Sequence, residues 1–198
     1  MRFVPEVTLR QADEPIGLWE LTEGEYRSDQ PPPFWAFAWA GGQGLARYVL
    51  DNPGAVAGRR VLDLASGSGL VAIAAARAGA AAVRAVDVDP VAVAAIAVNA
   101  AANGVTVAPE RADLLDGEHG DAEVLLVGDA FYSKAMSDRV LRFLRRARRN
   151  SARVLVGDPS RPFLPKRLFA ARAAYDVPVP LSLEDVPVKR TTIWELVG

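Results

Sequence analysis

The chain has 198 residues, enough for one domain with a sizeable core, and hydrophobic residues make up 51% of it. It has no cysteine, which excludes disulfides, thiol nucleophiles and thiolate metal sites. The formal net charge of −1 argues neither for nor against a nucleic-acid partner. No apolar stretch reaches the roughly 18 residues of a membrane helix, and the first residues lack a signal-peptide pattern. We therefore expect a soluble, cytoplasmic protein with no membrane partner.

The first forty residues carry weak structural signals. Residues 3–10 and 16–22 alternate between apolar and polar side chains, which predicts a small hairpin or two edge strands. A proline-rich segment follows and is predicted to be extended. Trp35, Phe37 and Trp39 share one face of a strand, but Trp35 and Trp39 also share one face of a helix. These aromatic side chains could fill the core or cover a binding site.

The stretch from residue 60 to 89 organises the rest of the chain. Its predicted segments are a strand over 61–64, a small-residue loop over 65–69, a helix over 70–78 and a strand over 83–86. Asp63 lies within the first strand, and Asp87 follows the second. This pattern predicts one nucleotide-binding half of a doubly wound sheet, with the loop placed before a helix N-terminus. Asp87 is then positioned to accept hydrogen bonds from both hydroxyls of a ribose.

The loop matches neither a dinucleotide nor a phosphate-binding fingerprint, because D-L-A-S-G-S-G contains no GxGxxG and no GK[ST]. An acid before a helix N-terminus disfavours a pyrophosphate and suits a cationic ligand. S-adenosylmethionine carries an ammonium and a sulfonium group, so it fits this loop better. The residues predicted to bind it here are Asp63, Ala65, Ser66, Gly67, Gly69, Asp87 and Val88. The alternative is a plain βαβ unit whose glycines only make a tight turn.

The remaining predicted elements complete a single α/β domain. Gly41-Gly42 are predicted to interrupt the chain before a first helix over 44–50. The later predicted elements are a helix over 90–102, a strand over 105–108, a strand over 123–128, a helix over 134–149, a strand over 153–157, a helix over 165–174 and strands over 175–179 and 191–197. The apolar strand over 123–128 is of the kind that parallel sheets use.

Acids stand at the predicted carboxyl ends of several strands, where an open α/β sheet binds its ligands. Asp113 is placed to accept a hydrogen bond from an adenine amino group, with the Leu114 backbone beside the ring. Each acid also has a simpler interpretation, since aspartate is common in turns. For Asp158, which precedes a proline, the turn is the preferred interpretation.

Asp129 and Tyr132 follow the fourth predicted strand, which we expect to lie beside the first strand of the sheet. An acid and a phenol at this point can hydrogen-bond an incoming amine, and Phe131 can wall the pocket. The alternative is a strand-to-helix turn with two aromatic residues in the core.

Two other features have less specific interpretations. His119 is the single histidine and is expected to be a solvated loop residue rather than a ligand. Of the 23 lysines and arginines, 11 lie between Arg139 and Arg172, with Asp158 as the one opposing acid. This basic run is either a solvated helix face or an electrostatic docking surface for an acidic partner.

The motifs VLDLASGSG, AVDVDP, ADLLD and GDAFY, in this order, resemble those of the seven-β-strand S-adenosylmethionine-dependent methyltransferases. Three further features narrow the resemblance to protein lysine methyltransferases with a D-x-x-Y box. They are the segment PPPFWAFAWAGGQGLARYVLDNP, the box itself from Asp129 to Tyr132, and the sequence VGDPSRP. Within that group the chain is similar to the electron-transfer flavoprotein β-subunit lysine methyltransferases, in a bacterial form. The resemblance extends from about Pro31 to Pro162. One departure is Ala65, where the family has glycine; alanine can serve there if its φ stays negative.

The resemblance implies a Rossmann-like seven-stranded sheet with helices on both faces, strand order 3-2-1-4-5-7-6 and an antiparallel last strand. We expect a monomer with a short N-terminal extension over 1–33, packed on a methyltransferase domain over 34–198. The implied methyl donor is S-adenosyl-L-methionine, and no metal is expected. The implied acceptor is the ε-amine of a protein lysine, in the electron-transfer flavoprotein β subunit and secondarily in the ribosomal stalk protein.

Asp129 and Tyr132 are the expected catalytic residues. Because an anion stabilises an ammonium ion, Asp129 is expected to recruit and aim the lysine rather than to act as a general base. Trp39, Asp113, Leu114 and Asp129 are further expected contacts to the cofactor. Trp35 and Phe131 are the expected contacts to the substrate. Two other functions stay open: a small-molecule, nicotinamide-like N-methyltransferase, and a cofactor-binding module without turnover. A nucleic-acid methyltransferase is disfavoured because Asp-Ala-Phe-Tyr differs from the [ND]-P-P-[FYW] box of such enzymes.

Overall fold

The computed structural model describes residues 3–12 and 33–198. The helices are α1 (Ala40–Asp51), α2 (Leu70–Arg77), α3 (Pro90–Ala102) and α4 (Lys134–Arg149). The strands are β1 (Arg60–Leu64), β2 (Ala82–Asp87), β3 (Ala108–Arg111), β4 (Val124–Gly128), β5 (Arg153–Asp158), β6 (Phe169–Pro178) and β7 (Val188–Leu196). Short 3₁₀ turns occur at Phe34–Ala36, Pro53–Ala55 and Lys166–Leu168. None of the described helices is long and apolar enough to cross a membrane.

The strands form one seven-stranded sheet in the order β3-β2-β1-β4-β5-β7-β6. Strands β1 to β5 pair in parallel, and β7 runs antiparallel to both β5 and β6. The fold class, strand order and antiparallel last strand expected from the resemblance are therefore confirmed. The order reverses between β1 and β4, so their carboxyl ends diverge into a crevice where such sheets bind ligands.

Two apolar clusters cover the two faces of the sheet, because alternate side chains of each strand point to opposite faces. On one face, Leu45 of α1, Ile73 of α2 and Ile96 of α3 are fully buried. On the other, Phe143 and Leu144 of α4 are buried in a cluster with Leu62 of β1 and Leu125 of β4. Helices on both faces hold the central strands rigid, which fixes the positions of the loops at their ends.

Helix α1 begins four residues earlier than predicted, and Gly41-Gly42 lie inside it rather than before it. The reason is close packing between α1 and the ends of β4 and β5. A Cβ atom on Gly41 would overlap the carbonyl oxygen of Gly157 and lie 2.6 Å from the Asp129 nitrogen. Gly128 faces the same helix, since its Cβ would lie 2.8 Å from the Gly42 Cα. Glycine serves here for close backbone approach, not as a helix breaker.

The predicted helix over 165–174 is wrong. After the 3₁₀ turn Lys166–Leu168, the chain forms strand β6 and pairs with β7 along its whole length, with an irregularity between Ala171 and Ala173. The alanine-rich composition favours a helix locally. Pairing with β7 and burial of Phe169 override that preference, as tertiary context commonly does.

The N-terminal residues 3–12 form turns and extended backbone rather than the predicted strand. Two asparagines bond this segment instead of a strand partner. Asn99 of α3 accepts a hydrogen bond from the Arg10 nitrogen, and Asn103, the residue after α3, accepts one from the Thr8 nitrogen. The segment over 16–22 lies outside the described residues, and so does most of the proline-rich segment. The division into 1–33 and 34–198 stays a prediction.

The edge strand β3 is displaced by three residues from the predicted 105–108. Its residues are mostly exposed. Because a strand's register is set by the apolar side chains that it buries, the sequence does not define the position of β3. Val105 and Val107, which suggested the strand, pack instead against the first apolar cluster.

Candidate active site

A cleft with a volume of about 480 Å³ lies at the carboxyl ends of β1, β2 and β4. Its walls come from the loop after β1, the ends of β2 and β4, the segment 112–115 and the aromatic segment 34–39. Of the residues predicted as site residues, the cleft lining includes Trp35, Trp39, Asp63, Ala65, Ser66, Gly67, Asp87, Val88, Asp113, Leu114, Asp129 and Tyr132. The topology thus brings together side chains that are up to about one hundred residues apart in sequence.

The loop after β1 is held by backbone hydrogen bonds to β2. The Ser66 nitrogen donates to the Val86 carbonyl over 3.1 Å, and the Gly67 nitrogen donates to the Asp87 carboxylate over 2.9 Å. Ala65 has a φ of 52°, so the condition stated for alanine at this departure from the family pattern, a negative φ, is not met. A non-glycine residue in this region costs about 1 kcal/mol.

Asp63 is buried in the wall of the cleft. Its Oδ2 accepts hydrogen bonds from the Ser66 hydroxyl, over 2.5 Å, and from the Ala72 nitrogen, over 3.0 Å. Its Oδ1 is buried and has no hydrogen-bond partner among the described residues. Burial raises the pKa of this carboxyl to about 7, against the lowering effect of the two hydrogen bonds, with a further rise from the charge of Asp87. A cationic ligand group would satisfy the remaining oxygen.

Asp87, at the end of β2, and Asp113, shortly after β3, both line the cleft. Both Asp87 oxygens accept backbone hydrogen bonds, from Gly67 and Asp89, and burial raises its pKa despite them. Asp113 accepts from the Leu115 nitrogen and from Arg139. These two contacts outweigh the effect of burial and lower the Asp113 pKa. Each carboxylate oxygen has two acceptor positions, so both acids can still take a ligand hydrogen bond.

The aromatic segment both fills the core and covers the cleft. Phe37 is buried, whereas Trp35 and Trp39 are partly exposed in the cleft wall. Trp39 precedes α1, and its indole nitrogen donates to the Phe34 carbonyl over 2.9 Å. The Phe34 ring lies 5.6 Å from the Tyr132 ring, so the segment closes over the end of β4. Phe37 therefore fits the interpretation as a core residue, whereas Trp35 and Trp39 fit the interpretation that these rings cover a binding site.

Asp129 follows β4 in a left-handed backbone conformation, with a φ of 59°. The Asp129 nitrogen donates to the Gly157 carbonyl, and the Gly41 nitrogen donates to Asp129 Oδ2 over 3.0 Å. Its side chain is almost fully buried at the base of the cleft. Tyr132 is 44% exposed at the mouth, and burial of its ring, together with the charges of Asp87 and Asp129, raises its pKa. An amine entering the cleft would meet the phenol first and the carboxylate second.

Arg161 is a site residue that the sequence analysis missed. Its guanidinium lies in the cleft wall and forms a two-bond ion pair with Asp129, with a shortest distance of 2.6 Å. It forms a second ion pair with Glu184, also at 2.6 Å. Asp158, expected to be a turn residue, accepts from the Arg161 nitrogen and is fully buried. The one available signal was the DPSRP sequence after β5, which is too short to reveal a contact with Asp129.

The structure contradicts the predictions for Phe131 and His119, and it places Gly69 outside the cleft lining. Phe131 is fully buried and packs edge-on against Phe169 in the second apolar cluster, so it does not wall the pocket. The core interpretation of this aromatic residue is the correct one. Gly69 is absent from the cleft lining among the described residues, because it faces Ile96 of α3 as the residue before α2. His119 is buried rather than solvated, at 5% exposure.

Some members of the basic run pair with acids or with backbone carbonyls, whereas Arg142, Arg145, Arg148 and Arg149 are exposed on α4. Arg139 pairs with Asp113 and Asp116, and Arg153 and Arg172 both pair with Glu195. Arg146 donates to two backbone carbonyls of the loop that follows Asp113. Within the described part of the chain, no cluster of acids and histidines could hold a metal ion.

The amino-acid sequence was compared with those of known proteins and protein families. A family model described as "Ribosomal protein L11 methyltransferase (PrmA)" matches residues 48–126. The electron transfer flavoprotein beta subunit lysine methyltransferase of Mus musculus is 34% identical over 200 residues, covering 98% of this chain and 77% of the mouse protein. That of Homo sapiens is 39% identical over 163 residues, covering 81% of this chain and 61% of the human protein.

The chain belongs to the electron transfer flavoprotein beta subunit lysine methyltransferase family. This confirms the resemblance and the enzyme class that the sequence motifs indicated, a protein-lysine N-methyltransferase. The match to the mouse relative spans nearly the whole chain, including both ends that the resemblance had left uncovered.

Solved structures support the fold. The ribosomal protein L11 methylase from Lactobacillus delbrueckii subsp. bulgaricus superposes with a TM-score of 0.56 at 19% identity, over 82% of this chain and 81% of that chain. The Pyrococcus abyssi tRNA (uracil-54, C5)-methyltransferase, in complex with S-adenosyl-L-homocysteine, gives a TM-score of 0.53 at 17% identity, over 77% of this chain and 38% of that chain. At these identities the likeness shows a shared methyltransferase fold.

Proposed function

We propose that this protein transfers methyl groups from S-adenosyl-L-methionine to the ε-amine of a lysine in the electron-transfer flavoprotein β subunit. The observation that carries the proposal is the position of Asp129 and Tyr132. They stand at the end of β4, in the same cleft as the nucleoside-binding half of the sheet. Family membership supplies the substrate, because the relatives are named for that subunit.

The cleft fits S-adenosylmethionine on three observations. The orphaned, buried Oδ1 of Asp63 matches an ammonium group. Gly67 has a φ of 54°, and a Cβ there would point toward the Trp35 backbone, so glycine keeps the loop open beside the aromatic wall. Asp87 at the end of β2 matches the ribose hydroxyls. Bound S-adenosylmethionine would supply an electrophilic methyl group on a sulfonium, with S-adenosyl-L-homocysteine as the product.

The substrate lysine must lose a proton to solvent before its amine can attack the methyl group of the donor. With an ordinary pKa of about 10.4, only about 0.1% of the amine is neutral near pH 7.4, a cost of about 4 kcal/mol. Burial in the apolar cleft between the Tyr132, Trp35 and Phe34 rings disfavours the charged form and lowers this cost. Asp129 accepts a hydrogen bond from the amine and orients its lone pair. In-line placement at about 3–3.5 Å supplies much of the remaining acceleration.

The test is mass spectrometry of recombinant electron-transfer flavoprotein β subunit after incubation with the enzyme and S-adenosylmethionine. The expected result is a mass increase of one or more methyl groups on a lysine, dependent on both enzyme and donor. Methylation of RNA or of a nicotinamide-like amine, with an unmodified β subunit, would show one of the alternative enzymes. Donor binding without any product would show a module without turnover.

The ribosomal stalk protein is a second candidate substrate, and the match to a family model described as "Ribosomal protein L11 methyltransferase (PrmA)" supports a ribosomal protein as acceptor. That match over 48–126 ends within β4, so it includes the glycine loop and Asp87 but stops before Asp129 and Tyr132. It therefore supports the donor half of the reaction more than the choice of acceptor. A competition assay with equal amounts of the stalk protein and the β subunit distinguishes them, and we expect the β subunit to be methylated faster.

A further inference from the structure

Asp129 does not present an unpaired negative charge to the cleft. The Arg161 Nε donates to Asp129 Oδ1 over 2.6 Å, and the Arg161 Nη2 donates to Oδ2 over 3.2 Å. The Gly41 nitrogen also donates to Oδ2. A carboxylate has about four acceptor positions, and three are filled, so the open position is on Oδ1. An incoming amine can use that position without displacing Arg161.

Arg161 is held in place from its other side. Its Nη2 donates to Glu184 Oε1 over 2.6 Å and its Nη1 donates to Oε2 over 3.3 Å. Lys189 pairs with the same Glu184 carboxylate at 3.2 Å. Burial alone would lower the Arg161 pKa, but hydrogen bonds and charges from Asp129 and Glu184 outweigh it and hold that pKa above its usual value. Arg161 is thus a permanent cation at the base of the cleft.

Two requirements conflict at Asp129. It must accept a hydrogen bond in order to orient the amine, but an isolated carboxylate would stabilise the ammonium form, which has no lone pair for attack. A fixed cation bonded to the same carboxylate removes most of that stabilisation and leaves the acceptor position open. We propose that Arg161 holds Asp129 in position and balances its charge, so that Asp129 aims the substrate amine without keeping it protonated. This role rests on the proposed lysine methylation.

The other ionisable groups around Asp129 do not supply this balance. Asp158, at the end of β5, is buried, and burial raises its pKa to about 6, with the charge of Asp129 adding to the rise. Asp87 from β2 and the Tyr132 phenol are negative or neutral groups. Lys189 from β7 contacts Glu184 and not Asp129. Within residues 3–12 and 33–198, Arg161 is therefore the single cation bonded to Asp129.

The test is the pH dependence of kcat at saturating recombinant electron-transfer flavoprotein β subunit, for wild type and Arg161→Gln, from about pH 6 to about pH 10, because kcat reports the protonation of groups in the enzyme–substrate complex. Without Arg161, Asp129 stabilises the ammonium more strongly. The acid limb of the profile should then move to higher pH by about one unit, a roughly tenfold loss of rate at neutral pH that is largely recovered at high pH. Calorimetry should show S-adenosylmethionine affinity within about threefold of wild type, which also reports that the variant is folded.

Three variants separate charge from geometry. Arg161→Lys keeps the cation but loses the two-bond fork, so its acid limb should stay at the wild-type pH while kcat falls. Glu184→Gln removes the competing anion, so its acid limb should lie at or below the wild-type pH. Arg142→Gln is the control: Arg142 is an exposed α4 arginine with no described ion pair, and its profile should match that of wild type.

The proposal is wrong if Arg161→Gln lowers kcat equally at every pH, because Arg161 would then only support the local structure. It is also wrong if Arg161→Lys shifts the acid limb as far as Arg161→Gln does, or if both variants lose donor binding. Absence of methyl transfer by the wild-type enzyme to the β subunit is a different result, since it contradicts the proposed function itself.

Discussion

Asp63 and Asp129 are two buried carboxylates at the same edge of the sheet, but their environments differ. Asp63 has one oxygen with no partner among the described residues, no cation beside it and a pKa raised to about 7 by burial. Asp129 is bonded to Arg161 through both oxygens and to the Gly41 nitrogen. One site lacks its counter-charge and the other contains it.

This difference matches the two partners of the proposed reaction. The methyl donor carries a sulfonium and an ammonium group, and the ammonium is charged below its pKa, so a carboxylate without a counter-charge favours its binding. The lysine must react as a neutral amine, so a carboxylate that already has its cation can orient it without stabilising the wrong protonation state. The same residue type thus serves two roles, set by what the fold places around it.

The largest expected effect separates the two carboxylates by function. Asp129→Ala should reduce methyl transfer to the β subunit about a thousandfold or more, because the amine loses its orienting acceptor and Arg161 is left unpaired. S-adenosylmethionine affinity should survive. Transfer of radiolabelled methyl groups and calorimetric titration measure the two quantities. Substantial activity in the variant would contradict the role of Asp129.

A second substitution, at Gly41, disturbs the packing of α1 against the backbone at Asp129. Gly41→Ala introduces a Cβ atom that overlaps the Gly157 carbonyl and lies 2.6 Å from the Asp129 nitrogen. We expect a loss of about 3 kcal/mol in the free energy of unfolding. Gly42→Ala is the matched control in the same helix, because its Cβ would meet only the Val71 side chain at 3.9 Å. Urea denaturation should show Gly42→Ala unchanged or slightly more stable than wild type. Equal stability of the two variants would contradict the packing of α1 on β4 and β5.

Asp63→Asn tests the carboxylate that lacks a counter-charge. The folded-state pKa of Asp63 lies above the ordinary aspartate value, so its contribution favours folding at low pH and is lost as the pH rises through about 7. The variant should therefore exceed wild type in the free energy of unfolding by about 2 kcal/mol near pH 8, and by much less near pH 5. Asp113→Asn, at a carboxyl whose pKa is lowered, should show no such gain. A gain for Asp63→Asn that did not depend on pH would contradict the protonation argument.

The smallest expected effect concerns the loop beside Asp63. Ala65 has a φ of 52°, a conformation that glycine adopts without strain. Ala65→Gly should stabilise the folded loop by about 1 kcal/mol, partly offset by the greater chain entropy of unfolded glycine. Thermal denaturation of both proteins at equal ligand saturation measures it. A destabilised variant would contradict the strain assigned to this position.

The donor half of the molecule was predictable because its signals are local. Strand β1, the glycine loop, α2, β2 and Asp87 follow one another within thirty residues, and each step has its own sequence pattern. The helix over 165–174 was mispredicted because its alanine residues have a helical preference that long-range pairing with β7 overrides. Local propensity predicts structure where neighbours in sequence are also neighbours in space.

The acceptor half depends on contacts that sequence spacing does not show. Arg161 reaches Asp129 across 32 residues and Glu184 across 23 residues, through loops without regular periodicity. Phe131 was assigned to the pocket because it adjoins Asp129, but the left-handed backbone at Asp129 turns the chain, and Phe131 lies on the other face of the sheet. The sequence alone does not predict which face of the sheet a side chain occupies just beyond a strand end, because a shift of one residue moves it to the opposite face.

The most direct test of the difference between the two carboxylates is proton release on donor binding, measured calorimetrically in buffers of different ionisation enthalpy. At about pH 6.5 the donor amine is already charged, while Asp63 is mostly protonated in the free protein. If the donor ammonium binds beside Asp63, wild type should release about half a proton or more on binding S-adenosylmethionine, and so should Asp129→Asn. Asp63→Asn should release almost none. Equal proton release by wild type and Asp63→Asn would contradict the assignment of Asp63 as the site that lacks its counter-charge.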